Sequence, residues 1–322
     1  MPVFPQRKTS EGRSGRPAVR LLAIDEHAAG QRVDNFLVRE CKSVPKSHIH
    51  KASRDGQVRV NKGRVQADHR LAVGDMVRIP PLRLPAAGEP RKVPALSFPV
   101  VFEDEALMVI DKPAGVAVHG GSGVSFGVIE QLRAARPEAR FLELAHRLDR
   151  ETSGLLIIAK QRKALLSLHD MMRESAGRKM YQALVVGDWV NERQHVRKPL
   201  LKWLTAHGER RVKVDPEGKP AHTIVTCLKR YGRYTLVGAE LRTGRTHQIR
   251  VHLASCGHPI VGDEKYGPDD VRERFARIGF KRMFLHACRL EIPHPITGEE
   301  LVFQAPLPAA CTELLEYLEE GN

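Results

Sequence analysis

No uninterrupted apolar run approaches the ~18–20 residues that a bilayer span requires. The longest, GLLIIA at Gly154–Ala159, is the size of one strand. Membrane insertion is excluded on that ground, and the basic N-terminus runs into AVRLLAIDEH, too short and too soon charged for a signal peptide. The cytoplasm is the expected compartment. Cysteine is sparse: Cys41, Cys227, Cys256, Cys288 and Cys311 form no CxxC and no close pair, as expected of free thiols. The 15 histidines include no HExxH and no compact cluster with Cys or carboxylates, so no metal is expected. Glycines Gly120, Gly121, Gly123 and Gly127 lack both a following Gly-Lys-Ser/Thr and the third glycine of GxGxxG, which removes P-loop and dinucleotide readings. The helix FGVIEQLRAARPEA that follows still offers its N-terminus to a backbone phosphate.

What is present is an ordinary globular composition, 42% hydrophobic and 28% charged over 322 residues. That length suits about two domains at the usual ~100–200 residues each. The charge is uneven. Of a net +14, residues 1–80 hold 16 Lys and Arg against 8 Asp and Glu. A basic N-terminal quarter is the footprint of a phosphate-backbone binder, although a solvated surface has the same composition.

Residues 1–20, rich in Pro, Gly, Ser and Arg without an apolar period, read as a flexible basic arm. In QRVDNFLVREC, Val33, Phe36, Leu37 and the nearby Cys41 recur at helical spacing, which predicts a short amphipathic helix with Asp34 and Arg39 outside. A second helix is predicted from about Pro45 to Gly56, with Ile49 and Ala52 inward. Four-residue spacing aligns Lys46, His50 and Arg54 in one row and sets Ser47 beside Lys51 in the next, making a cationic ridge. QVRVNKGRVQ then reads as a hairpin turning through Asn61-Lys62-Gly63. Aromatics are too few here for base stacking. A run with prolines at 80, 81, 85, 90, 94 and 99 marks a domain boundary, the linker being placed at 81–97.

After the linker, FPVVFEDEALMVIDKPAGVAVHGG reads as strands around an acidic turn, followed by Lys112-Pro113-Ala114-Gly115 as a loop. In ELAHRLDRETSGLLIIAK, the second half is a buried apolar strand, so Asp149 is expected on the loop just before it. By composition alone, Asp149 between Arg147 and Arg150 reads first as an ion-paired surface residue or a turn cap. ALLSLHDMM reads as helix core without a site role.

HRLDRETSG at His146–Gly154 resembles the signature of the RluA family of pseudouridine synthases. KMYQALVVG (Lys179–Gly187), LRTGRTHQIRVHLASCGHPIVGDEKYG (Leu241–Gly267) and FLHACRLEIPHPITGEELVFQAPLP (Phe284–Pro308) are similar to that family's later motifs, in the same order. Residues 21–80, two short helices with a small sheet, resemble the α-L RNA-binding module of ribosomal protein S-four. The loop of Asp111–Glu130 resembles the C-type enzymes that act on large-subunit rRNA.

The resemblance implies an α+β protein: an N-terminal α-L domain, then a mixed, mainly antiparallel sheet forming the synthase domain at 98–322. It implies an enzyme that isomerises uridines of 23S ribosomal RNA to pseudouridine without a cofactor, after the base leaves its stack; nothing in the sequence marks an oligomer, and a monomer is the simplest expectation. Asp149 would be the essential carboxylate, acting on sugar or base or by promoting a glycal. Arg250 would pair with it, the alternative being a phosphate contact. Tyr181 would stack on uracil and assist proton removal, the alternative being a core tyrosine. Arg147 would fill the space the base vacates, and His146 would shape the loop. Lys46, Ser47, His50, Lys51 and Arg54 would track phosphates. Two other classes remain open: a non-catalytic RNA-binding or ribosome-assembly factor on the same fold, and a small-molecule hydrolase using Asp149.

Overall fold

The computed structural model describes residues 19–26, 28–41, 44, 46–81, 93–120, 125–205 and 209–321. The chain divides into two compact units, Met1–Lys92 and Val93–Asn322. Most of the predicted basic arm and residues 82–92 of the predicted linker lie outside the described residues.

In the first unit, strand β1 (Arg20–Ala23) precedes helices α1 (Val33–Glu40) and α2 (Lys46–Arg54), then β2 (Arg59–Val60), β3 (Gly63–Arg64) and β4 (Met76–Ile79). The strands form an antiparallel sheet in the order β1-β4-β2-β3. Val33, Phe36 and Leu37 of α1 and Ile49 and Ala52 of α2 meet Val58, Val60 and Val77 in one core, as their spacing requires. Two expectations are corrected. Asp34 is buried, because Arg32 Nε and Nη2 lie 3.1 and 3.0 Å from its oxygens and His50 Nε2 lies 3.1 Å away, which compensates the lost hydration. The hairpin turn is Asn61-Lys62 alone, both with positive φ, and Gly63 already pairs with Val60. Two left-handed residues give the turn twist that matches the strands.

The second unit opens with β5 (Val100–Glu103) and β6 (Leu107–Lys112), then α3 (Val128–Ala135), β7 (Glu143–Leu144), β8 (Ser153–Ala159), α4 (Arg162–Glu174) and β9 (Arg178–Val186). There follow β10 (Arg193–Val196), β11 (Leu200–Leu204), β12 (Arg210–Val214), β13 (Thr223–Tyr231), β14 (Tyr234–Leu241), α5 (Gln248–Ser255), α6 (Asp269–Arg277), β15 (Leu285–Pro293), β16 (Glu300–Gln304) and α7 (Ala309–Glu319). The main sheet runs β10-β13-β14-β9-β15-β8-β6-β5, with β16 on β15 and β7 on β8, while β11 and β12 make a separate hairpin. Every pairing is antiparallel except β15 with β8. The fold is therefore α+β with a mixed, mainly antiparallel sheet.

Alternation along the strands divides the core. Met108, Ile110, Leu156 and Ile158 face α3 and α5 together with Tyr181, Ala183 and Leu285. Leu107, Val109, Leu155 and Ile157 face the other way, toward Leu168 of α4. All seven residues of β8 are buried, each fully buried Leu or Ile contributing about 1.5–3 kcal/mol. Gly154, the second residue of that strand, has φ 108°, and a Cβ there would lie 2.3 Å from the Ala287 carbonyl oxygen. Only glycine permits the parallel approach of β15 that sets the adjoining loop in place.

Candidate active site

The loop between β7 and β8 carries Asp149 and is fastened at both ends. Ala145 N–H donates to Ile157 O at 3.0 Å, and Ile157 N–H donates to His146 Nε2 at 3.1 Å, so the imidazole takes the place of a main-chain acceptor. Burial, reinforced by the charge of Lys179, pushes the His146 pKa down to about 3 and keeps the ring neutral for that task. At the other end, Arg150 O accepts Gly115 N–H at 2.8 Å and Lys112 Nζ at 3.1 Å. Lys112 is not a loop residue. It ends β6, is fully buried, and also donates to Pro113 O and Val116 O at 2.8 Å each. Burial lowers its pKa to about 7 against the opposing charge of Glu151. Three carbonyl acceptors account for an ammonium group in the interior.

Asp149 Oδ2 lies 3.3 Å from Arg250 Nη1. The guanidinium also meets Asp263 in a fork, Nε to Oδ2 at 2.8 Å and Nη2 to Oδ1 at 2.7 Å, and sits 5.1 Å from the centre of the Tyr266 ring. Arg250 is 5% exposed and Asp263 0%, whereas Asp149 is 26% exposed. The acid that can meet a ligand is thus held by a pair that cannot. Burial works against the Arg250 charge, but the two carboxylates raise its pKa overall. Burial likewise opposes ionisation of Asp263, yet Arg250 and the Lys265 and Tyr266 N–H groups hold it below the usual carboxylate range. Buried against two carboxylates, Arg250 is not a phosphate contact.

Asp149 stands on the shared wall of two clefts, of about 650 and 420 Å³, together with Arg147, Leu148, Thr246, His247 and Arg250. Tyr181, on β9, lines the larger one. Burial and then the charge of Asp149 raise its phenol pKa, so the hydroxyl keeps its proton. Arg147 is exposed and has no ion pair among the described residues. Lys179, desolvated, faces the same cleft with only Met172 Sδ as a described partner, at 3.3 Å.

Five of the expected residues, His146, Arg147, Asp149, Tyr181 and Arg250, thus line one cleft. The other five belong to α2 in the first unit. Lys51 and Arg54 are exposed there, His50 is half-buried against Asp34, and the side chains of Lys46 and Ser47 lie outside the described residues. Two further readings are corrected. The segment ALLSLHDMM does reach the site: Leu168 packs inward, but His169 and Met172, with Arg173 after them, line the cleft. At the N-terminus of α3, Glu130 Oε2 accepts Gly127 N–H at 2.8 Å and Gly120 N–H at 3.1 Å, so a carboxylate fills the place suggested for a phosphate. Sequence reasoning missed Asp263, Tyr266 and His247, although all three lie within motifs already singled out. Among the described residues, no three His, Cys, Asp or Glu side chains converge as a metal site would need.

Residues 106–255 match a family model described as RNA pseudouridylate synthase. "Ribosomal large subunit pseudouridine synthase C" of Pasteurella multocida (strain Pm70) is 50% identical over 309 residues, covering 94% of this chain and 95% of that one. The protein of the same name from Escherichia coli (strain K12) is 49% identical over 314 residues, covering 95% and 98%. Among solved structures, "Human RNA Pseudouridylate Synthase Domain Containing 4" has a TM-score of 0.58 at 25% identity, over 69% of this chain and 93% of that one. No helix among the described residues is long and apolar enough to cross a membrane. About half-identity along nearly the whole chain, together with the family match over residues 106–255, places it in the RluA family of RNA pseudouridylate synthases.

Proposed function

We propose that the chain converts selected uridines of large-subunit ribosomal RNA, the 23S molecule, to pseudouridine, acting in the cytoplasm as a monomer. The observation that carries the catalytic reading is that Asp149 is the one carboxylate among the described residues lining the larger cleft, and that a buried guanidinium orients it. The substrate class rests on the half-identical relatives.

A uridine in folded RNA reaches this cleft only by leaving its stack, at a cost of a few kcal/mol. Arg147, exposed at the cleft wall and without an ion pair among the described residues, enters the gap. The base lies against Tyr181, whose protonated phenol serves as an aromatic wall rather than a base. Asp149 then meets the nucleotide as the N1–C1′ bond breaks, stabilising the electron-poor sugar. Uracil turns, C5 bonds to C1′, the C5 proton leaves and N1 takes up a proton. Nothing else is gained or lost, so the reaction needs no co-reactant.

The first unit is, in this reading, an α-L docking module. Two helices on a four-stranded sheet, with Lys51 and Arg54 exposed on α2, support that role. Asp149→Asn tests the whole. It is expected to bind 23S rRNA as the parent does and to form no pseudouridine. Turnover at the parent rate would refute the mechanism, whereas no pseudouridine from the parent protein itself would leave a non-catalytic assembly factor as the reading.

A further inference from the structure

His247 occupies an unusual position. Its backbone is left-handed, φ 53° and ψ 22°, at the residue before α5. Residues other than glycine seldom adopt that conformation, although histidine does so more readily than most, and such positions cluster where the side chain is needed in one place. The side chain lines both clefts, and Nε2 lies 3.9 Å from Asp149 Oδ1, too far for a hydrogen bond and close enough to share a ligand with it.

The neighbours fix which nitrogen carries the proton. Tyr266 Oη accepts Val212 N–H at 3.0 Å and lies 2.7 Å from His247 Nδ1. If Nδ1 carried the proton, the Tyr266 hydroxyl hydrogen would have no acceptor among the described residues. With Tyr266 donating to Nδ1, every proton is placed, and Nε2–H faces the space beside Asp149. Burial lowers the imidazole pKa, with Arg250 and Lys265 adding to it and Asp149 and Asp263 opposing, so the ring is a neutral donor.

We propose that His247 is a catalytic residue whose Nε2–H donates a hydrogen bond to O2 of the uracil as it detaches from C1′. O2 is bonded to the carbon next to N1, so it lies near C1′ wherever Asp149 meets the sugar, and it takes negative charge when the N1–C1′ bond pair goes to the base. A donor set in place beforehand stabilises that charge more in the transition state than in the bound uridine. This rests on the preceding reading and adds to it a residue and an atom of the substrate.

The test is single-turnover pseudouridine formation on a 23S rRNA fragment, with RNA affinity and thermal midpoint measured alongside. His247→Gly keeps the left-handed backbone without strain and removes the donor. It is expected to slow the chemical step about 10²-fold, as loss of one oxyanion donor does, with affinity and thermal midpoint close to the parent's. His247→Asn, which tolerates the same backbone and supplies an N–H, is expected to recover part of that rate. Tyr266→Phe, which frees the ring, is expected to slow the step by less than His247→Gly. A parent-like rate in His247→Gly, or a loss that appears wholly in affinity, overturns the assignment. Asp149→Asn in the same assay separates the two failures: if it is inactive while His247→Gly is not, only His247 falls, whereas turnover in Asp149→Asn removes the reading beneath it.

Discussion

Arg250 holds two carboxylates at once, a buried fork to Asp263 and a single bond to the partly exposed Asp149. The fork fixes the plane of the guanidinium, and the plane fixes where the second bond points. Asp263→Asn keeps the shape and removes one charge from a buried pair. Breaking such a pair costs about 3–5 kcal/mol where a full charge is left behind; here Asp149 remains, so the lower end is expected. Urea unfolding should show that loss, and single-turnover assays a slower chemical step at unchanged RNA affinity. Parent-like activity in Asp263→Asn would mean that Asp149 needs no such alignment.

Arg147 is read as filling the gap left by the extruded uridine. Arg147→Ala should therefore slow turnover more on a target uridine held in a helix than on the same uridine in a single strand, where little unstacking remains to be done. The measurement is the ratio of kcat/KM on the two RNAs for parent and variant. An equal loss on both would assign Arg147 to a phosphate contact instead.

His146 supplies an acid-sensitive contribution to stability. Its pKa is about 3 in the folded protein, against about 6.5 for an unperturbed histidine. Above pH 6.5 neither state is protonated and the His146–Ile157 bond is fully effective. As pH falls from 6.5 toward 3 the unfolded chain takes up a proton that the folded one refuses, and stability drops by up to about 2 kcal/mol at pH 5. His146→Gln offers an oxygen to Ile157 N–H and does not titrate. Its urea midpoint should fall less than the parent's between pH 7 and pH 5, and an identical fall in both would show that the ring is not held neutral.

The sequence placed Asp149 on its loop but did not show what holds it there. Asp149 before the apolar run Leu155–Ala159 was legible because a buried strand must be entered from a surface loop. Tyr181, on β9, and Arg250, on α5, reached the same cleft only through a sheet order that brings β9 beside β15 and β15 beside β8, and no local pattern encodes that order. The failures share a cause. Lys112 read as loop and Asp34 as surface because a charged residue was taken to belong in water. Each is buried and has a partner distant in sequence: Arg150 O, 38 residues from Lys112, and His50, 16 from Asp34. Helix α4 misled differently, since its apolar stripe hides that the next turn, with His169 and Met172, borders the cleft.

The docking role assigned to α2 can be tested apart from catalysis. Each Lys or Arg that neutralises a phosphate releases counterions, so its removal should flatten the plot of log affinity against log salt by about one unit. Lys51→Ala with Arg54→Ala changes two exposed side chains while leaving Ile49 and Ala52 in the core, so the fold should persist. Binding of Asp149→Asn protein to 23S rRNA, measured from low to physiological salt with and without the double change, isolates the effect from turnover. A slope lowered by about two units places α2 on the phosphate backbone. An unchanged slope moves the docking surface elsewhere, with Arg147 and Lys179 of the cleft the next cations to remove.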